Sequence, residues 1–192
     1  MNTSRSLSLE DYFRFFIINF SMLKFFTLMN SWFNLAILTG LLFLFLFLLS
    51  SLLPADKVLD LRFAYSVQEA YELIGMLDLE TRKIYRLGIW ALDLPYMFIY
   101  GLLFSGLLYK IWNTPKVLVL PLGVVLMDFF ENLMILRILK IYPLENHLLA
   151  TLASFFTTSK WLLVGLMVLT ILFGLMHNFF TGKVASGTHS HS

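Results

Sequence analysis

Long apolar runs dominate the chain and predict transmembrane helices. A helix of about 20 apolar residues crosses the hydrocarbon core of a bilayer. Four stretches reach that length, and the first of them carries no charged residue. The predicted spans cover residues 33–53, 89–111, 117–138 and 149–173. The chain is therefore predicted to be all-α, a polytopic membrane protein whose residues 31–178 form a four-helix transmembrane bundle.

The two ends of the chain differ from this bundle. Residues 1–30 combine Arg14 and Lys24 with many phenylalanines. Two cations at helical spacing favour an amphipathic helix lying in the membrane interface over a fifth span. Residues 179–192 end in serine, glycine and histidine, and they are predicted to be a disordered tail.

The longest polar connection, between the first two spans, predicts two short helices. The recurrence of apolar positions from Phe63 through Val67 to Ile74 indicates an amphipathic helix that ends near Gly75. Asp78 is expected to cap a second helix. This second helix should continue directly into the second span.

Composition supports a membrane protein and excludes several other classes. Of the 192 residues, 59% are hydrophobic and 14% are charged, whereas a soluble domain is about half apolar and a quarter charged. The net charge of +2 and the absence of a basic block argue against nucleic acid as a partner. Because the chain has no cysteine, it can form neither disulfides nor thiolate metal sites.

The third span carries a polar stripe. Asp128, Glu131 and Asn132 lie three or four residues apart and therefore share one helix face. A charged side chain at the bilayer centre costs about 2.5–3.5 kcal/mol, so the stripe should face the interior of the bundle. Two carboxylates one turn apart should share a cation or retain a proton.

The second and fourth spans contain matching polar faces. The residues concerned are Asp93, Tyr96 and Tyr100 in the second span, and Ser154, Thr157, Lys160 and Trp161 in the fourth. Two interpretations of Lys160 are open: it pairs with the acids, or its long side chain reaches the headgroups. Pro95 cannot donate a backbone hydrogen bond, so a local kink is expected beside Asp93.

These faces predict one ligand or proton site in a cavity between the second, third and fourth spans, with the first span as a lipid-facing wall. Its predicted members are Asp93, Asp128, Glu131, Asn132 and Lys160, supported by Tyr96, Tyr100, Ser154, Thr157 and Trp161. A purely structural polar core is less favoured, because interhelical hydrogen bonds in membranes contribute only about 0.6 kcal/mol on average.

The leading functional prediction is a membrane protein that binds a small molecule, a cation or a lipid in this cavity, or relays protons through it. Membrane lipid is the expected partner. One alternative is a membrane-embedded enzyme that acts on a lipid or isoprenoid by general acid chemistry. Another is an accessory or assembly subunit of a membrane complex. No cofactor, metal site or catalytic residue is predicted, because the chain lacks the motifs that would indicate one.

Four short patterns carry a resemblance to a known family. They are D-x-x-Y-x-x-x-YG (residues 93–101), D-x-x-EN (128–132), YP (142–143) and S-x-x-T-x-x-KW (154–161). Together they resemble a family of small four-span bacterial membrane proteins with no assigned function, over about residues 30–175. The resemblance implies one common site and a location in the bacterial inner membrane. The layout is also loosely similar to that of the emopamil-binding sterol isomerases, whose residue pattern does not map onto this chain.

Overall fold

The computed structural model describes residues 31–52 and 57–182, and the described part is an all-α bundle without strands. The segment predicted to lie in the membrane interface and most of the predicted tail fall outside these residues. Four helices are long and apolar enough to cross a membrane. In chain order the elements are α1 (Trp32–Leu52), α2 (Val67–Met76), α3 (Leu79–Gly88), a π-helical turn (Ile89–Asp93), α4 (Leu94–Trp112), a 3₁₀ turn (Pro115–Leu118), α5 (Val119–Ile141) and α6 (His147–Phe180).

Two of the four membrane helices extend well beyond the predicted apolar runs. Helix α3, the π-helical turn and α4 form one helical segment, Leu79–Trp112, which confirms the predicted continuation into the second span. Helix α6 extends past residue 173 to Phe180. Contacts with the end of α4 support this extension, because Trp112 stacks on His177 and Asn178 donates a hydrogen bond to the backbone carbonyl of Ile111.

The connection after α1 contains the two helix starts that local chemistry favours. Ser66 caps α2 in a capping box with Glu69, and hydrogen bonds from the backbone and hydroxyl of Ser66 lower the pKa of the Glu69 carboxyl. Asp78 caps α3 as predicted, through the backbone N–H of Thr81. The prediction for Phe63 was wrong: it precedes α2 and is exposed, whereas Leu73 is buried instead.

Packing within the bundle is uneven. Helices α5 and α6 pack along much of their lengths, and α4 packs on α5 and α1. Within the described structure, Leu35 is the one buried residue of α1. Helix α1 is therefore a peripheral element, as expected for a lipid-facing wall. The buried polar side chains come from the other membrane segments, and they are Asp93, Asp128, Glu131, Asn132, Thr157 and Lys160.

Single cysteines should report the membrane topology, because the natural chain has none. We expect Met76→Cys, before the second span, and Lys116→Cys, after it, to react with an impermeant thiol reagent from opposite sides of sealed vesicles. Both positions are exposed. Leu144→Cys, between α5 and α6, is the matched control and should react from the same side as Met76→Cys. Labelling of Met76→Cys and Lys116→Cys from one side would contradict the four-span topology.

Candidate functional site

Lys160 lies at the centre of a buried ion cluster. Its Nζ is 2.6 Å from Oε2 of Glu131 and 3.1 Å from Oδ1 of Asp128. All three residues are buried, and Glu131 has no exposed surface. Of the two interpretations of Lys160, the structure therefore shows pairing with the acids. Because the ammonium is held between two carboxylates, it does not reach toward the headgroups.

The other oxygens of these two carboxylates accept hydrogen bonds from hydroxyl groups. The Tyr100 hydroxyl donates to Oδ2 of Asp128 over 2.6 Å, and the Thr157 hydroxyl donates to Oε1 of Glu131 over 2.7 Å. Buried charges are tolerated when they are both paired and hydrogen-bonded. The ion cluster thus joins α4, α5 and α6 through side chains that would be costly to bury singly.

Asp93 and Asn132 form a second buried contact beside the cluster. The Asn132 side-chain amide donates to Oδ2 of Asp93. Among the described residues, no cation forms an ion pair with Asp93. Asp93 therefore differs from the two clustered acids, because its hydrogen-bond partner is a neutral amide.

A π-helical turn, Ile89–Asp93, lies directly before Pro95, the residue at which a kink is expected. The backbone N–H of Leu94 bonds to the carbonyl of Ile89, five residues earlier. Such turns widen the helix locally and are frequent at functional sites. Here the turn places Asp93 toward the bundle interior, where the residue is buried.

The connection after α1 also contributes to the site. Sequence reasoning did not predict this contribution. The backbone carbonyl of Asp60 accepts hydrogen bonds from Nζ of Lys160 and from the Trp161 indole, each over 3.3 Å. The Tyr85 hydroxyl donates to Oδ1 of Asp60 and accepts the backbone N–H of Leu59. Leu59 is fully buried. The one sequence signal was an isolated acid, Asp60, between two leucines, and it gave no indication of the contacts that its backbone carbonyl makes with α6.

Polar residues on α6 also hold this connection in place. The Ser154 hydroxyl accepts the backbone N–H of Tyr65 over 3.2 Å, and the Thr157 hydroxyl lies 3.3 Å from the Tyr65 hydroxyl. Thr158 donates to the carbonyl of Phe63. Burial raises the pKa of Tyr65 above its ordinary value, so its hydroxyl stays neutral. Residues of the S-x-x-T-x-x-KW pattern thus have two roles. Lys160 forms ion pairs with Asp128 and Glu131, and Ser154, Thr157 and Trp161 contact the connection after α1.

A cavity of about 410 Å³ lies beside the ion cluster. Its walls are mostly apolar, and its polar end presents Asp60, Asp93, Asp128 and Lys160. The apolar lining includes Leu46, Leu49 and Leu52 of α1, together with Ile89, Phe104, Val124, Val164 and Met167. The cavity was predicted between the second, third and fourth spans, and the structure adds the end of α1 and the following connection to its lining.

The predicted site residues divide into two groups in the structure. Those that line the cavity are Asp93, Tyr96, Tyr100, Asp128, Lys160 and Trp161. Those that lie outside its lining are Glu131, Asn132, Ser154 and Thr157. Tyr96 contacts Tyr100 edge to face, with ring centroids 5.3 Å apart. Among residues 31–52 and 57–182, no group of three or more histidines and acids could hold a metal ion.

The fold and the site together define the class of this protein. It is an α-helical multi-pass membrane protein that has buried carboxylates and an ion-paired lysine beside a mostly apolar cavity. Comparison with protein-family profiles, with curated proteins and with solved structures finds no match.

Proposed function

We propose that the protein binds a small, largely apolar molecule with one polar end in the cavity beside the ion cluster. The observation that carries this proposal is the cavity itself, about 410 Å³ with apolar walls and a polar end. Small-molecule sites are typically concave, about 300–1,000 Å³ in volume, and mostly apolar, with a few convergent polar groups. The apolar walls would hold the body of the ligand, and the polar end would fix its orientation.

The buried charges favour function over a purely structural role. Interhelical hydrogen bonds in membranes are worth about 0.6 kcal/mol on average, whereas one charge at the bilayer centre costs about 2.5–3.5 kcal/mol. Serine or asparagine would join three helices at lower cost than Asp128, Glu131 and Lys160. A site that must orient a polar group inside an apolar cavity, however, needs fixed charges and donors.

The arrangement of the helices supports a ligand that comes from the membrane. In the described structure, α1 packs mainly on α4, on the π-helical turn and on α3, and less on α6. Both α1 and α6 nevertheless line the cavity, through residues such as Leu49 and Val164. A lateral entrance between these two helices would face the lipid. We accordingly propose a membrane-derived ligand and, from the family resemblance, a location in the bacterial inner membrane.

Binding is better supported than general acid catalysis. Both oxygens of Asp128 and both oxygens of Glu131 already have partners within the bundle. A general acid must present its proton within hydrogen-bond reach of the substrate. Asp93 has no ion-pair partner among the described residues, and its hydrogen-bond partner is the side-chain amide of Asn132, which cannot act as a general acid or base. The geometry therefore supports recognition of a ligand.

Native mass spectrometry of the detergent-purified wild-type protein tests the proposal. We expect one small molecule to remain bound to each chain after extensive delipidation. An unrelated helical membrane protein, purified in the same detergent, controls for non-specific lipid adducts. A stoichiometric protein partner without a small molecule would favour the accessory-subunit alternative, and a chain that retains neither would contradict the proposal.

A further inference from the structure

We infer that the polar end of the ligand is a protonated amine or a quaternary ammonium group, bound beside Asp93. This inference rests on the proposed function and specifies the chemical class of its ligand. Its basis is a charge imbalance around the cavity, together with aromatic side chains that line the same space.

The cavity is lined by more acids than cations. Asp60, Asp93 and Asp128 contribute three formal negative charges, and Lys160 contributes one positive charge, so the lining has a formal charge of −2. Lys160 is also shared with the buried Glu131. Uncompensated buried charge is costly, and a cation in the cavity would offset that cost. An anionic ligand would increase the imbalance.

Asp93 is better placed than Asp128 to receive this cation, and it is more deeply buried than Asp60. It lines the cavity and is buried, yet its hydrogen-bond donor is the neutral Asn132 amide. Asp128, by contrast, already contacts both Lys160 and Tyr100. A ligand ammonium at Asp93 would therefore form the ion pair that no described cation supplies.

Aromatic side chains favour an organic cation over a metal ion. Those that line the cavity are Tyr85, Tyr96, Tyr100, Phe104 and Trp161. Aromatic faces attract ammonium groups and recognise quaternary ammonium ligands. A hard metal ion instead requires a shell of about six oxygen ligands, and the described acids do not form one. The apolar walls would accommodate the hydrocarbon part of an amine.

A matched pair of probes tests the inference. The first is phenylbutyl-trimethylammonium, and the second is its carbon isostere, in which a tert-butyl group replaces the trimethylammonium group. Binding is measured to the protein in lipid nanodiscs, with empty nanodiscs as the blank for partition into lipid. We expect the wild type to bind the ammonium probe at least about tenfold more tightly than the isostere, which corresponds to about 1.4 kcal/mol.

Two variants should remove this preference without removing the cavity. Asp93→Asn retains an acceptor for the Asn132 amide, so it should weaken ammonium binding about tenfold and leave binding of the isostere unchanged. Tyr96→Leu removes an aromatic face and should weaken ammonium binding several-fold. Unchanged binding of the isostere would show in each case that the variant is folded. Loss of the preference for the ammonium probe in either variant would support the inference.

A cavity-filling variant separates the inference from the proposed function. Val164→Trp introduces an indole into the lining and should abolish binding of both probes. Equal binding of the two probes by the wild type, lost in Val164→Trp, would overturn the amine inference and leave the proposed function intact. Failure of the wild type to bind either probe would also overturn the inference. The mass spectrometry of the co-purified ligand would then decide the proposed function independently.

Discussion

Replacing Lys160 with methionine should destabilise the folded protein by about 3–5 kcal/mol, because removal of one partner leaves buried charges uncompensated. Methionine has a similar length and packs well in apolar surroundings, so loss of the cation dominates the effect. Asp128 and Glu131 would then face each other without the ammonium that lies within 3.1 Å of both. The change is measured as the free energy of unfolding in detergent, together with the yield of monodisperse protein.

Removal of an acid in the same chain should restore part of that loss. We expect Lys160→Met combined with Asp128→Asn or with Glu131→Gln to be more stable than Lys160→Met alone. Lys140→Met is the matched control: Lys140 is exposed near the end of α5, so its replacement should change stability by less than about 0.5 kcal/mol. Equal losses in the two lysine variants, or no rescue by either acid substitution, would show that Lys160 is not ion-paired.

Gly174→Leu should also destabilise the bundle, by about 1–3 kcal/mol, because it overpacks the contact between α4 and α6. A Cβ atom at position 174 would lie 2.7 Å from the indole nitrogen of Trp112 and would also meet the side chain of Ile111. The two helices would have to separate, and the Trp112 indole would lose its hydrogen bond to the carbonyl of Thr170. Thermal unfolding in detergent measures the loss.

Gly165→Leu provides the control for this substitution. Gly165 lies in the same helix, and a Cβ atom there would meet nothing within 4 Å. Leucine has a higher helix propensity than glycine, so this variant should be at least as stable as the wild type. If Gly165→Leu and Gly174→Leu destabilised the protein equally, the close approach of α4 and α6 would be refuted.

The membrane helices and the polar stripe could be predicted from sequence because both depend on local spacing. An apolar run identifies a span without knowledge of its neighbours, and Asp128, Glu131 and Asn132 share a face in any α-helix. The high cost of exposing such groups to lipid then requires that they face the interior. The same reasoning placed Lys160 on a polar face of the fourth span, but it could not choose between pairing and snorkelling.

The rest of the site depends on contacts between distant parts of the chain. Asp60 lies 100 residues before Lys160, yet its backbone carbonyl accepts a hydrogen bond from the lysine. A backbone carbonyl carries no sequence signature, so no pattern could reveal this contact. The contribution of α1 to the cavity was missed for a similar reason, because a uniformly apolar helix gives no indication of which face meets the bundle.

Native mass spectrometry of two tryptophan variants tests the central claim, a ligand-binding cavity, most directly. Val164 lines the cavity, whereas Val168, one turn further along α6, lies outside its lining and is 42% exposed. We expect the wild type and Val168→Trp to retain one co-purified small molecule per chain, and Val164→Trp to lose it while remaining folded. Equal retention by both variants would place the molecule elsewhere on the protein and would contradict the proposed cavity site.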